Sequence, residues 1–312
     1  MIALLTGLLS TAVLAGSVLA LAAQGEVMAE RTGVTSLGTE GIMSIGAVVA
    51  VLTVMEYPDP WLGFVAAMIA GGLAGAIFAF AVVILRANQV LCGLATTFLG
   101  IGLSAAMGHS VAGLPVPVTF TPVHIPLLSA IPLIGPAFFS QNILVCLICF
   151  VLPAGLHHLL FRTRHGLNLR AVGENPAAAD AAGISVAGFR FWYTVLGTSL
   201  AGGAGACLSL AVIPGWTEGM VSGRGWIAVA LVIFAGFRPV NAVLAGLVFG
   251  LISALGFLGQ AESWPVAAPV LNMFPYLGTL GFIILPVVLW PGIRRIFAAP
   301  AALGEPYYRE VR

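Results

Sequence analysis

The chain of 312 residues contains no lysine, and all twelve of its basic residues are arginine. A Walker A loop needs a lysine on the nucleotide phosphates, so the chain is not expected to hydrolyse ATP in that way by itself. Charge of either sign is scarce, because Asp, Glu, Lys and Arg together make up only 7% of the residues. We expect no nucleic acid among its partners.

Metal-ligand patterns are also missing from the sequence. The four cysteines stand in apolar runs without metal or disulfide spacing and are interpreted as small apolar packing residues: Cys92, Cys146, Cys149 and Cys207. No carboxylate stands at metal-ligand spacing from the clustered histidines His157, His158 and His165. This pattern disfavours a membrane-embedded enzyme, and we expect no metal, no cofactor and no catalytic residue.

The chain is rich in apolar residues, which make up 60% of the sequence, and its mean hydropathy is +1.09. No soluble core can absorb so much apolar surface, so the composition predicts an all-α polytopic membrane protein with one transmembrane domain over residues 1–312. Residues 2–23 form the first apolar run and lack the basic start of a signal peptide, which predicts an uncleaved first span.

The polar, glycine-rich stretch 24–47 separates this run from the next. It is too polar for a full span and too rich in small residues for a surface helix. A helix interrupted at Gly33, Gly38 and Gly41 is how membrane proteins place exposed backbone at a cavity, and we predict such a broken helix here. A plain loop followed by a short span is the alternative.

The other apolar runs predict spans at 42–57, 61–85, 90–108, 142–161, 187–212, 240–259 and 271–290. The proline-rich segment 110–141 is predicted to be an external loop. As a helix, the run Trp226–Phe237 covers about 18 Å, which is short of a hydrocarbon core of about 30 Å. Residues 216–225 are therefore predicted to dip into the membrane first, which makes about nine spans with broken or re-entrant segments.

The loop 162–190 concentrates four of the arginines and contains a compact helix signal. Asn175 can cap the helix, Pro176 fits its first position, and Gly183 can take the left-handed stop. A helix this short is marginal in water on its own, so a partner groove is predicted to hold it. An ordinary connecting loop with one helical turn is the alternative.

Arginine placement predicts the orientation. With the loop 162–190 in the cytoplasm, most arginines that flank spans also fall inside: Arg86, Arg162, Arg164, Arg170, Arg190, Arg238, Arg294 and Arg295. Only Arg224 among the flanking arginines falls outside. About nine spans then place the N-terminus outside and the C-terminus inside.

Several short motifs are spread from residue 24 to residue 290. They are GE at 25–26, ER-x-GV at 30–34, LG-x-EG at 37–41, NQV at 88–90, GLA at 93–95, GLS at 102–104, VGENPAAA at 172–179, AGI at 182–184 and GMVSGRGWIA at 219–228. Together they resemble the permease subunits of bacterial ABC importers for nucleosides and simple sugars, in the branched-chain-type permease family. The group of motifs at residues 25–41 and the motif at 219–228 are the more specific ones.

This resemblance implies a type II-like ABC importer permease in the bacterial inner membrane, in contact with membrane lipid. It also implies a second permease subunit, two cytoplasmic ATP-binding cassette ATPases, and a periplasmic or lipid-anchored substrate-binding protein. Members of the nucleoside type often carry asparagine where this chain has Ser36, so the cargo need not be an ordinary nucleoside. An ion-coupled secondary transporter or channel is the alternative, and Glu40 would be its best candidate for a proton relay.

Because the spans offer few fixed charges, the cargo is predicted to be neutral and polar, first a nucleoside or nucleobase-like compound and second a simple sugar. The predicted substrate-binding residues are Thr35, Ser36, Gly38, Glu40, Gln89, Thr96, Thr97, Phe98 and Trp216. The threonines could equally bond to their own helix backbone. The predicted ATPase-coupling residues are Glu174, Asn175, Pro176, Ala177, Ala178, Ala179, Asp180 and Gly183.

Overall fold

Helices form the regular structure of the computed structural model, which describes residues 2–124, 126, 129, 131, 134–278, 281 and 298–309. In chain order they are α1 (Ile2–Glu30), α2 (Thr39–Glu56), α3 (Pro60–Ala79), α4 (Gln89–Gly108), α5 (Ile134–Phe139), α6 (Ile143–Cys146), α7 (Leu152–Arg162), α8 (Arg164–Glu174), α9 (Pro176–Ala181), α10 (Val186–Cys207), α11 (Arg224–Phe234), α12 (Pro239–Ala261) and α13 (Ala268–Asn272). Five-residue π-helical segments extend α3 at Phe80–Ile84, join α6 to α7 at Leu147–Val151, and extend α10 at Leu208–Val212.

Seven of the described helical stretches are long and apolar enough to cross a membrane. They are Leu5–Glu30, Thr39–Glu56, Pro60–Ile84, Gln89–Gly108, Ile143–Arg162, Val186–Val212 and Pro239–Ala261. This confirms an all-α polytopic architecture. The predicted count of nine is not confirmed, because α11 has only 11 residues and the predicted span 271–290 lies largely outside the described residues.

The break after the first span is shorter than the sequence predicted. The helix α1 continues to Glu30, so the irregular segment is 31–38 and Gly41 already lies within α2. The polar residues before the break stay helical because they find partners inside the protein. Gln24, for example, is fully buried and donates from Nε2 to the carbonyl oxygen of Ile148.

The loop 162–190 contains one helix more than predicted, because α8 precedes the expected short helix. The capping signals themselves are confirmed. Asn175 Oδ1 accepts from the amide of Ala178, Pro176 occupies the first position of α9, and Gly183 takes a φ of +81° after the last turn. The helix α9 ends at Ala181, two residues before the glycine.

The helices at the centre of the molecule are α1, α2 and α10, with α12 along α1 and α3 along both α2 and α10. Small residues let these backbones approach closely, which matters in lipid, where no hydrophobic force drives one helix against another. A Cβ added at Gly16 would lie 2.7 Å from the carbonyl oxygen of Gly246, and one added at Gly71 would lie 2.8 Å from Cα of Gly202. The central helices therefore pack through close backbone contacts at glycine.

The α2–α10 contact generates a packing prediction. A Cβ at Gly205 would lie 2.7 Å from the backbone nitrogen of Ala47, so Gly205→Leu must push the two helices apart, at a cost of about 3 kcal/mol. We expect a lower melting temperature for the purified variant. Gly102→Leu in α4 is the matched control, because nothing lies within 4 Å of its added Cβ. Equal melting temperatures for both variants would contradict the contact.

Candidate functional site

The irregular segment 31–38 is fastened to α4. The amide of Thr35 donates to Oε1 of Gln89 over 2.9 Å, and the hydroxyl of Thr97 donates to the carbonyl oxygen of Leu37 over 2.7 Å. Thr97 stands eight residues after Gln89, which is about 12 Å along the helix. The segment therefore rises along α4, and α2 begins within the length of the spans rather than at one end.

Two buried carboxylates of α1 hold the other side of this segment. Oε1 of Glu26 accepts a hydrogen bond from the hydroxyl of Thr39, and Oε1 of Glu30 accepts one from the hydroxyl of Thr35 over 3.2 Å. Both glutamates are at most 3% exposed. The end of α1 and the start of α2 are thereby joined across the break through side chains.

Arg31 anchors the base of the break. Its Nε donates to the carbonyl oxygen of Phe237 over 2.8 Å, and its Nη2 donates to that of Gly236 over 3.2 Å. Burial, followed by the positive charges of Arg170 and Arg238, lowers the pKa of Arg31 to about 10, so the guanidinium keeps its charge at neutral pH. It binds the carbonyls of the turn between α11 and α12, where a cation at a helix C-terminus is favourable.

The start of α11 is capped from another part of the chain. Gly223 has a φ of +78° and offers no side-chain cap to this helix. The two carboxylate oxygens of Glu40 accept instead, Oε1 from the amide of Gly223 and Oε2 from that of Gly225, each over 2.7 Å. An anion at a helix N-terminus meets unpaired amides and the positive end of the helix dipole. Glu40 thus joins the first turn of α2 to the first turn of α11.

A cavity of about 210 Å³ lies beside this junction. Its polar lining consists of Glu40, Ser44, Ser104, Trp216, Glu218 and Ser222. The indole Nε1 of Trp216 donates to Oγ of Ser104 over 3.2 Å, and that hydroxyl donates to the carbonyl oxygen of Ser44 over 2.9 Å. Carboxylate, hydroxyl and aromatic groups therefore converge on one small space.

Of the predicted substrate-binding residues, only Glu40 and Trp216 line this cavity. Thr35, Gln89 and Thr97 position the break, as described above. Ser36 is fully buried, and its Oγ accepts from the amide of Gly38 within the same turn. These residues support the backbone around the cavity and do not face it.

Two predicted residues of α4 lie elsewhere. The hydroxyl of Thr96 donates to the carbonyl oxygen of Cys92 in its own helix, and the side chain of Phe98 is 68% exposed. The cavity residues Ser44, Ser104 and Glu218 were not predicted. The sequence did contain a signal for Ser104, because small or polar residues repeat every three or four positions along α4. These residues form its buried face: Gln89, Gly93, Thr97, Gly100, Ser104 and Gly108.

A larger cavity of about 570 Å³ lies between α1, α11 and α12. Most of its lining is apolar, and five of its seventeen lining residues have polar side chains: Thr11, Ser222, Arg224, Ser253 and Tyr276. A polar solute needs several hydrogen-bonding partners in its site. In the smaller cavity beside Glu40 a larger share of the lining residues, six of ten, has polar side chains.

The helix α9 presents two different faces. Ala177 and Ala178 are exposed, whereas Ala179 is 3% exposed and packs with Val172 and Val186. Of the three predicted alanines, Ala177 and Ala178 are therefore the accessible ones. The expectation that this helix docks on an ATPase stays a prediction.

The segment 298–309 packs against the same region. The carboxylate of Asp180 pairs with Nε of Arg309 over 3.0 Å and accepts from the hydroxyl of Tyr307 over 3.2 Å. Oε2 of Glu174 accepts from the amide of Ala301 over 3.1 Å. Both predicted acidic coupling residues thus hold the C-terminal segment in place.

Comparison with known families identifies the family of this chain. The family model described as the branched-chain amino acid transport system / permease component matches residues 8–282. The chain belongs to this permease family. The family is one of transport permeases and not of enzymes. No solved structure matches the chain.

Three curated relatives of the permease are ABC transporter permeases. One, named for glucose, comes from Haloferax volcanii and is 37% identical over 98% of each chain. A guanosine permease of Bacillus subtilis is 32% identical over 94% of each chain, and a nucleoside permease of Lactococcus lactis is 34% identical over 91% of each. The family resemblance is confirmed, and the chain is the permease subunit of an ABC importer rather than an ion-coupled transporter.

The Glu40 contacts generate a prediction about α11. The amide side chain of Glu40→Gln has one accepting oxygen and no charge, so one backbone amide loses its acceptor, at a cost of about 2 kcal/mol. Hydrogen exchange in a peptide that covers residues 219–227 should become about 30-fold faster.

Glu218→Gln is the matched control for this exchange measurement. Its carboxylate lines the same cavity but is exposed, and no hydrogen bond fastens it to α11 among the described residues. We expect wild-type exchange in the control. Unchanged exchange in Glu40→Gln would show that the carboxylate does not cap the helix.

Proposed function

We propose that the permease carries a neutral polar solute through the cavity beside Glu40, with a nucleoside or nucleobase-like compound as first choice and a simple sugar as second. The observation that carries the proposal is the polar lining of this cavity at the junction of α2 and α11. Broken or abutting helices at a substrate site are typical of membrane transporters. The names of the three relatives, for glucose, guanosine and nucleosides, agree with both classes of solute.

The chemistry of the lining favours hydroxyl-bearing cargo. Glu218 and the serine hydroxyls can accept hydrogen bonds from the hydroxyls of a ribose or a hexose. Trp216 offers an aromatic surface for a base or a sugar ring. Glu40 is already bound to two backbone amides, so its carboxylate is not free to act as a proton relay.

A second permease subunit is proposed to complete the site. The cavity of about 210 Å³ is smaller than the about 300 Å³ at which ligand pockets of proteins begin. Alternating access also needs two membrane halves that move against each other around one site. We propose that the partner is a different permease chain, as in nucleoside-type importers.

The ATPase subunits are proposed to dock on α9 through Ala177 and Ala178. The orientation that we propose places this face in the cytoplasm of the cell, with the N-terminus outside and an external binding protein, periplasmic or lipid-anchored, on the opposite face. The clustering of arginines supports this orientation, because cytoplasmic loops carry an excess of arginine and lysine. Arg31 lies within electrostatic reach of Arg170 and Arg238, and the loop 162–190 adds further arginines at the same end. The membrane is then the plasma membrane, the inner membrane of a bacterium.

Docking through the exposed alanines makes a specific prediction. Ala178→Glu places a charge in the proposed interface and should uncouple ATP hydrolysis from uptake, with at least a tenfold loss of uptake, as for about 1.4 kcal/mol of lost interaction. The fold should be unaffected, because the position is exposed. Ala261→Glu, at an exposed alanine at the end of α12, is the control and should couple normally. Normal coupling in Ala178→Glu would remove α9 from the interface.

The experiment that tests the whole proposal is purification in mild detergent followed by reconstitution. ATPase subunits and a second permease should co-purify with the chain, and uptake into vesicles should stop without ATP. Uptake should be inhibited by unlabelled nucleosides, or failing that by pentoses and hexoses. Preference for a charged amino acid would overturn the proposed substrate class, and uptake driven by an ion gradient without the partner subunits would overturn the proposed assembly.

A further inference from the structure

A second polar cavity, which shares no lining residue with the cavity beside Glu40, lies where the C-terminal segment covers the end of α3 and the start of α10. Its volume is about 220 Å³. Three arginines, Arg86, Arg190 and Arg309, line it, together with the single carboxylate Asp180. In a chain with only twelve basic residues, this is a marked concentration of positive charge.

Arg190 is the buried member of this group, with an exposed fraction of 3%. It donates to three carbonyl oxygens, those of Thr32, Glu305 and Ala302, over 3.1, 2.7 and 3.5 Å. A guanidinium has five N–H groups, so two remain to be satisfied. Among the residues that the structure describes, no carboxylate oxygen lies within 4 Å of this guanidinium.

A buried charge without a counter-ion is costly, so buried cations in proteins are normally paired with anions. The carboxylate of Glu305 acts on Arg190 only at longer range and is exposed. Asp180 is already engaged by Arg309 and by the hydroxyl of Tyr307. The protein itself therefore leaves the cavity with an excess of positive charge.

Two further groups suit an anion in this space. Arg86 is exposed, and its guanidinium lies 5.0 Å from the ring centre of Tyr308, with no hydrogen-bond acceptor among the described side chains and carbonyls. Val186 and Ala187 are the first two residues of α10 and line the cavity, and within the described part of the chain their amides have no hydrogen-bond acceptor. Arginines and helix-start amides together are the donors that bind phosphate groups.

The surroundings point to the source of the phosphate. The cavity opens at the end of the span Pro60–Ile84, and the adjoining side chains of Phe80, Ile84 and Leu85 are apolar and about half exposed or more. Acyl chains can pack on these side chains while a headgroup reaches the arginines. On the face that we propose to be cytoplasmic, anionic lipids are the abundant phosphate carriers.

We propose that this cavity binds the phosphate group of an anionic phospholipid headgroup. The bound phosphate supplies the counter-charge that Arg190 lacks and links the end of α3, the start of α10 and the C-terminal segment. The site is separate from the cavity beside Glu40, and its occupancy does not depend on which solute is carried.

Native mass spectrometry of the purified full-length chain in detergent tests the proposal. Dioleoylphosphatidylglycerol should bind to the wild type more tightly than dioleoylphosphatidylcholine does. Arg86→Gln removes an accessible cation without disturbing the buried Arg190, and should weaken phosphatidylglycerol binding about tenfold, as expected for one charged hydrogen bond. Arg86→Lys should restore part of the binding.

Arg162→Gln is the control, because it removes an exposed arginine that does not line the cavity. It should bind phosphatidylglycerol as the wild type does. Equal losses in Arg86→Gln and Arg162→Gln, or no loss in either, would overturn the proposal. Titration with inorganic phosphate distinguishes the sources. Tight phosphate binding that Arg86→Gln abolishes, without preference for phosphatidylglycerol, would support the anion site but with free phosphate as its ligand.

Discussion

The structure depends on one carboxylate. Glu40 lies 183 residues before Gly223, and its two oxygens take the backbone amides that open α11. Without water inside a membrane, unpaired amides are costly, so a helix that starts within the span length needs a cap from the protein. The same contact draws α2 toward α11 and places the polar cavity beside both. A short helix of 11 residues can therefore stand inside the protein where a full span would be expected.

The irregular segment 31–38 obeys the same constraint. Its backbone and side chains are bonded to Gln89 and Thr97 of α4 on one side and to the glutamates of α1 on the other. Non-helical backbone is tolerated at this depth because it is buried in protein rather than exposed to lipid. The central helices still pack tightly around this segment, because glycines let their backbones approach closely.

Arginine side chains hold together the region where the break begins. Arg31 holds the turn after α11, and Arg190 joins the break at Thr32 to the C-terminal segment. That segment in turn pairs with Asp180 of α9 through Arg309. The break and the docking helix α9 are thus connected through a few polar contacts. If a bound partner displaces α9, these contacts can pass the displacement to the residues at the start of the helix break.

Hydropathy by itself located the seven described spans, and capping chemistry determined the short helix after Asn175, because both are properties of neighbouring residues. The family could also be recognised from short motifs. Tertiary structure alone decided that Gln24, Glu26 and Glu30 remain helical, that Thr35 and Gln89 bind each other at the break rather than face the cavity, and that Ala179 is buried while Ala178 is exposed. Each of these outcomes depends on which distant residue bonds to a buried polar group or packs against one face of a helix. The partner of Glu40 stands more than half the chain away, and local sequence carries no signal for a contact of that range.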